Sequence, residues 1–204
     1  MVKIKICGVK FIEDVEFLNA QPLDYIGFIM YPKSPRFAGN LLKELLLSVE
    51  KAKKVVVFVN PEYEDIKYAL DSGADFIQLH GNETPEFGKK IGFERVIKAF
   101  RVGDNLDFKI LEFWRECHAI LLDTYVEGIP GGTGKVFNWD IAKNAVNLGY
   151  RVFLAGGLKP ENVLKAVKTV NPFAIDIAGG VESLPGKKDF KKVEELFKKL
   201  KNLN

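Results

Sequence analysis

Short apolar runs rich in β-branched residues alternate along the whole chain with stretches whose apolar residues return every three or four positions. Runs of the first kind predict strands at Val2–Cys7, Tyr25–Met30, Val55–Val59, Phe76–His80, Val96–Ala99, Ala119–Asp123, Val152–Ala155 and Ala174–Ala178. Stretches of the second kind predict helices at Phe11–Ala20, Leu41–Lys51, Tyr63–Ser72, Pro85–Ile91, Asp107–Glu116, Trp139–Leu148, Pro160–Val170 and Phe190–Leu200. Eight strand-then-helix units without a break in composition predict parallel strands joined by crossover helices.

Such units close into a barrel or lie in an open, doubly wound sheet. A doubly wound sheet places its glycine-rich turn after the first strand. Here the glycine-rich turns follow the sixth, seventh and eighth strands. A phosphate site after strands seven and eight is the recurring barrel arrangement. The expected fold is therefore α/β, a single-domain (β/α)8 TIM barrel over residues 1–204, a length sufficient for one full core.

Strand alternation then sorts side chains into a helix-covered outer face and a lumenal inner one. Val2, Ile4 and Ile6 share the outer face of the first strand, which turns Lys3, Lys5 and Cys7 inward. On the eighth, Ile175 and Ile177 face out and Asp176 faces in. The first and eighth strands are neighbours in a closed barrel, so Lys5 and Asp176 are predicted to pair, because neither charge is tolerated there alone.

Composition narrows the function without naming it. Hydrophobic residues make up 47% and charged ones 28% of the chain, and its net charge of +3 is spread rather than blocked. Nucleic-acid binding, which wants basic residues clustered on one face, is not expected. Lys187-Lys188 and Lys198-Lys199 sit in a helical pattern near the end and read as a solvated face. No apolar run is long enough to span a membrane and the chain opens directly into a strand, so a cytoplasmic protein is expected, as a monomer or homodimer. Two cysteines are too few for a disulfide framework, and they have no metal-ligand spacing with His80 and His118.

The stretch GIPGGTGKVF, residues 128–137, resembles a nucleotide loop only superficially. A P-loop needs Gly, four residues, then Gly-Lys and a Ser or Thr. Ile129 stands at the first glycine and Val136 at the hydroxyl position, so that reading fails. Two other turns, LAGGLKPENV and DIAGGVESLPG, each run from a strand end into a glycine pair. Gly156-Gly157 and Gly179-Gly180, at the same end of adjacent strands, let backbone amides approach one anion closely. A phosphorylated small molecule is the expected ligand. Cys7, His80 and Asp123 end their strands at that same rim, where barrel chemistry occurs, whereas Cys117 begins a strand at the far end and reads as structural.

The segments KIKICGVK, GFIMYPKSPRF, VVVFVN, IQLHGNE, LLDTYVEGIPGGTGKVFNW, LAGGLKPENV and IDIAGGVESLPGKKD resemble, in order and spacing, the phosphoribosylanthranilate isomerase family of tryptophan biosynthesis. The resemblance implies a cofactor-free barrel catalysing an Amadori rearrangement. It implies Asp123 as the general acid that opens the ribose ring and Cys7 as the general base at C2. It further implies that Arg36, in SPRF, contacts the anthranilate carboxylate, for which a guanidinium fork is suited. His80 either contacts substrate or orders the surroundings of Cys7. Gly131, Gly132, Thr133 and Gly134 would belong to a loop that closes over the sugar. The chemistry asks for a carboxylic acid still protonated near neutral pH, and for a thiol, ordinarily near pKa ~8.5, made basic by its surroundings or by the cationic Schiff base beside it. One departure stands out: the family usually has two serines where this chain has Ala178-Gly179, so any hydroxyl contact to phosphate from that pair is absent. The readings set against this one are the analogous aminoaldose isomerase of histidine biosynthesis, which resembles a twofold-repeated chain with aspartate where Cys7 stands, and a non-catalytic barrel that senses a phosphorylated ligand.

Overall fold

The computed structural model describes residues 2–124 and 138–201. Eight parallel strands close into a barrel in sequence order, the eighth pairing back onto the first. They are β1 (Lys3–Cys7), β2 (Tyr25–Ile29), β3 (Lys53–Phe58), β4 (Phe76–Leu79), β5 (Val96–Val102), β6 (Ala119–Thr124), β7 (Val152–Leu154) and β8 (Ala174–Ile177). Around them lie α1 (Ile12–Asn19), α2 (Leu42–Ser48), α3 (Tyr63–Asp71), α4 (Pro85–Ile91), α5 (Phe108–Glu112), α6 (Trp139–Asn147), α7 (Val163–Val170) and α8 (Phe190–Lys201).

Local chemistry sets several boundaries. Thr84 caps α4 by accepting from the Phe87 amide at 3.3 Å, and Pro85 occupies the first turn, where its missing N–H has no intrahelical role. Asn138 caps α6 in the same manner through the Asp140 amide, at 3.0 Å. The helix expected from Pro160 begins at Val163 instead, because Asn162 folds back: its Oδ1 accepts from the Lys159 amide and its Nδ2 donates to the Gly157 carbonyl, both at 2.9 Å. That bond ties the start of α7 to the glycine turn after β7. The helix expected to reach Glu116 stops at Glu112, and tighter three-residue turns carry Trp114 into the core.

The alternation separates the two faces as expected. Ile4, Ile6, Ile175 and Ile177 pack under the helices, while Tyr25, Val55, Ile97, Leu121, Phe153 and Ala174 fill the lumen. Lys5 is fully buried there, with Nζ 3.0 Å from Asp176 Oδ1 and 2.9 Å from Gln78 Oε1. The predicted pair forms, with a third partner that the pairing argument did not include.

One expectation is overturned. Lys187-Lys188 is not part of a helical face: it forms β10 (Lys187–Lys188), antiparallel to β9 (Glu182–Leu184), in a hairpin between β8 and α8. Pro185-Gly186 turns the chain between them, and Lys188 ends 3% exposed. Lys198 and Lys199 do lie on α8, in its last turn. Among the described residues no helix is long and apolar enough to cross a membrane.

Candidate active site

A cavity of about 510 Å³ opens at the C-terminal ends of the strands. Cys7 closes β1, His80 directly follows β4, and Asp123 is the penultimate residue of β6; all three line the cavity. Gly27, opposite Cys7 in the ladder, makes room for the thiol, since a β-carbon there would stand 2.7 Å from Sγ. Gly156-Gly157 and Gly179-Gly180 line the far wall, together with Arg36 and Glu182. The expected loop residues Gly131, Gly132, Thr133 and Gly134 lie outside the described residues.

Beneath the cavity runs a chain of side chains whose polarity can be read in one direction only. Lys5 is purely a donor, so Gln78 meets it with its carbonyl and turns its amide nitrogen to His80 Nδ1, at 2.9 Å. An Nδ1 that accepts leaves the ring proton on Nε2. That nitrogen faces Asp123 Oδ2 at 3.5 Å, while Asp123 Oδ1 accepts from the Thr124 amide at 2.8 Å. Gln78 was absent from the sequence-derived candidates, although its place two residues before His80 on one strand puts both on the same face.

The opposite wall holds the second unforeseen group. Arg36 donates through Nε and NH2 to Glu182, at 2.9 and 2.7 Å. Glu182 also receives Lys188 Nζ at 2.9 Å, and Lys188 in turn donates to the Cys7 carbonyl at 2.6 Å. Glu182 and Lys188 are both buried. Only the Pro-Gly turn signal between them hinted at the hairpin that joins them.

The glycine turns are built for close approach. Gly156 has φ +83°, where a side chain is strained, and a β-carbon on Gly180 would collide with the Leu158 carbonyl. Gly179 differs, since a β-carbon there would meet nothing nearer than Arg36 NH2 at 3.3 Å. No group of three or more His, Cys, Asp and Glu suited to a metal ion occurs among the described residues.

The model of the N-(5'-phosphoribosyl)anthranilate isomerase family matches residues 4–199. The chain belongs to the phosphoribosylanthranilate isomerase family. A phosphoribosylanthranilate isomerase of Aquifex aeolicus is 50% identical over 208 residues, covering 99% of this chain and 100% of its own. The crystal structure of phosphoribosylanthranilate isomerase from Thermus thermophilus superposes with a TM-score of 0.88 at 32% identity, covering both chains fully. Another solved phosphoribosylanthranilate isomerase, in complex with reduced 1-(o-carboxyphenylamino)-1-deoxyribulose 5-phosphate, gives 0.82 at 34% identity, covering 99% of this chain and 100% of its own.

Within this phosphoribosylanthranilate isomerase barrel, charge is arranged unevenly around the thiol. Burial pushes the Cys7 thiol up; the Lys5 ammonium pulls it back and Asp176 pushes it further, with a net rise. For Lys5, burial works against the charge, yet Asp176 and Cys7 together outweigh it and hold the ammonium above its usual range. Cys117, at the other end of the barrel, is pushed up to about 12 by burial, which suits an inert thiol.

Proposed function

We infer that this protein catalyses the Amadori rearrangement of N-(5'-phosphoribosyl)anthranilate to 1-(2-carboxyphenylamino)-1-deoxyribulose 5-phosphate, the isomerase step of tryptophan biosynthesis. The observation that carries the reading is the convergence of Cys7, Asp123, Arg36 and two glycine turns on one cavity, in a chain of that family. In this reading the backbone amides of the turns at Gly156-Gly157 and Gly179-Gly180 cradle the phosphate, without help from a serine hydroxyl. Arg36 takes the anthranilate carboxylate at the other end. The sugar then lies between Cys7 and Asp123.

Asp123, as the general acid, gives a proton to the ribose ring oxygen; the C1–O bond breaks and the nitrogen lone pair forms the cationic imine. Cys7, as thiolate, removes the proton from C2, and the electrons of that bond flow to the imine to give the enolamine. Tautomerisation moves the C2 hydroxyl proton away as C1 gains one, which completes the ketone. A buried thiol with a raised pKa is a poor base in the resting site. The cation forming beside it, with Lys5 below, favours the thiolate at the moment it is needed. His80 Nε2–H has no hydrogen-bond partner in the resting site and lies 3.5 Å from Asp123 Oδ2, placed to hold the acid as it turns to the ring oxygen.

The test follows the fluorescence decay of freshly generated phosphoribosylanthranilate with wild-type protein, Cys7→Ser and Asp123→Asn. Wild type accelerates the loss, and each folded variant slows it by about 10²-fold or more. Folded wild type that binds a product analogue yet turns nothing over would point to a phosphate-ligand sensor instead.

A further inference from the structure

We propose that the buried Glu182–Lys188 pair is a positioning unit of this site: it aims Arg36 at the substrate carboxylate, leaves that guanidinium its charge, and holds the backbone of Cys7. The proposal rests on the isomerase reading above and goes beyond it, because neither residue touches the reacting atoms.

The geometry of Arg36 comes first. Its Nε and NH2 are bound by the two oxygens of Glu182, which fixes the plane of the guanidinium on one edge. The other edge, with NH1, remains for a carboxylate, and Arg36 lines the cavity. An arginine held by a carboxylate is, however, electrically neutralised by it. A single Glu182 facing Arg36 would cancel the attraction that the substrate requires.

Lys188 removes that conflict. Its side chain is 0% exposed and its Nζ is 2.9 Å from Glu182 Oε1, so two cations surround one anion and the cluster keeps a net charge of one towards the cavity. Nζ also reaches the carbonyls of Cys7 at 2.6 Å and Ala178 at 3.5 Å. Three acceptors around one nitrogen are what an ammonium with three donors satisfies. The same group therefore ties the end of β1, which carries the base, to the end of β8, which leads into the phosphate turn. Glu182 is held below the usual carboxylate range: burial opposes its charge, but Arg36 and Lys188 outweigh it.

The hairpin is anchored to deliver these two residues. The Lys188 amide donates to Asp14 Oδ2 at 3.2 Å, on α1, and Lys192 Nζ holds the Glu182 carbonyl at 2.7 Å. Stability is weak ground for the pair, since a buried ion pair is often replaceable by well-packed apolar residues of similar volume without loss.

The experiment measures dissociation constants for reduced 1-(2-carboxyphenylamino)-1-deoxyribulose 5-phosphate and for its counterpart lacking the carboxyl group, alongside kcat and KM. Wild type, Glu182→Gln and Lys188→Met are compared, with Lys187→Met as a hairpin control and a melting curve for each. In Glu182→Gln and Lys188→Met the preference for the carboxylated ligand falls about tenfold, the scale of one charge-assisted hydrogen bond, while the other ligand binds as before. Substrate KM rises in parallel, and kcat drops further in Lys188→Met, which also releases the Cys7 carbonyl. Lys187→Met loses its 3.8 Å ion pair with Asp14 Oδ1 but no contact to Arg36 or Cys7, and keeps the wild-type ligand preference. Glu182→Gln alone suffices if Lys188→Met does not fold. An unchanged preference in folded variants, or equal weakening of both ligands that follows the loss in melting temperature, overturns the positioning role. Wild type that binds neither ligand and has no turnover overturns the isomerase reading itself.

Discussion

At the scale of single residues, Cys7, the proposed base, carries a pH signature. Burial is the largest influence on Cys7 and holds the thiol above the ordinary value of about 8.5, against the pull of Lys5. The proposed mechanism needs Cys7 as thiolate and Asp123 as acid at once, so kcat/KM in the free enzyme follows a bell, and the limb that Cys7 sets lies above about pH 8.5. A pH profile of kcat/KM checks this; a limb of the thiol at or below neutrality would contradict it. The glycine pair after β8 makes a second, steric prediction. Gly180→Ala drives a β-carbon into the Leu158 carbonyl and lowers stability by roughly 2 kcal/mol or more, whereas Gly179→Ser meets only the end of the Arg36 side chain, at a tight 3.3 Å, and costs clearly less. Calorimetry on the two variants separates them, and equal destabilisation would refute the assignment. At this scale Lys5–Asp176 was legible from strand alternation alone, because a period of two decides which face each residue takes. Glu182 and Lys188 were not, since hydropathy carries no signal for a charge that is buried against another charge from a different element.

At the scale of elements, two of the loops that carry the site are held by buried ion pairs. The loop after β4 carries His80, and Glu83 within it accepts from the Asn60 and Gly81 amides at 2.9 and 3.0 Å. Lys98, on the helix-facing side of β5, reaches Glu83 Oε2 and the Gly81 carbonyl, both at 2.7 Å. Their side chains are 5% and 3% exposed, so Lys98→Met strands a buried carboxylate and is expected to remove about 3–5 kcal/mol. Denaturant unfolding of Lys98→Met, Glu83→Gln and the double variant tests this; the double variant loses less than the sum if the pair acts as one unit. Strands and most helices were legible because their burial patterns repeat along the sequence. The hairpin of β9 and β10 was not, because five residues in two short strands set up no period, and the late start of α7 depends on one Asn162 side chain.

At the scale of the whole molecule, the barrel divides chemistry from packing. Its C-terminal end holds the charged cavity, while the opposite mouth is closed by rings: Tyr25, Phe76, Phe153 and Phe173 surround His118. His118 lies 4.1 Å from Phe76 between ring centres, and its Nε2 is 3.2 Å from the Tyr25 hydroxyl. Burial first, then the charges of Arg151 and Lys3, lower its pKa from the ordinary 6.5 to about 4. A group whose folded pKa is depressed contributes stability that is fully present above its unfolded pKa and lost as pH falls through the folded one. The melting temperature of wild type should therefore decline between about pH 6.5 and pH 4 by more than that of His118→Gln, which has no proton to gain there. The difference between the two proteins should narrow steadily across that window and stay constant above it. Parallel declines would mean that the acid sensitivity of the barrel arises elsewhere, as at Glu182 of the other end, which loses two cationic partners on protonation.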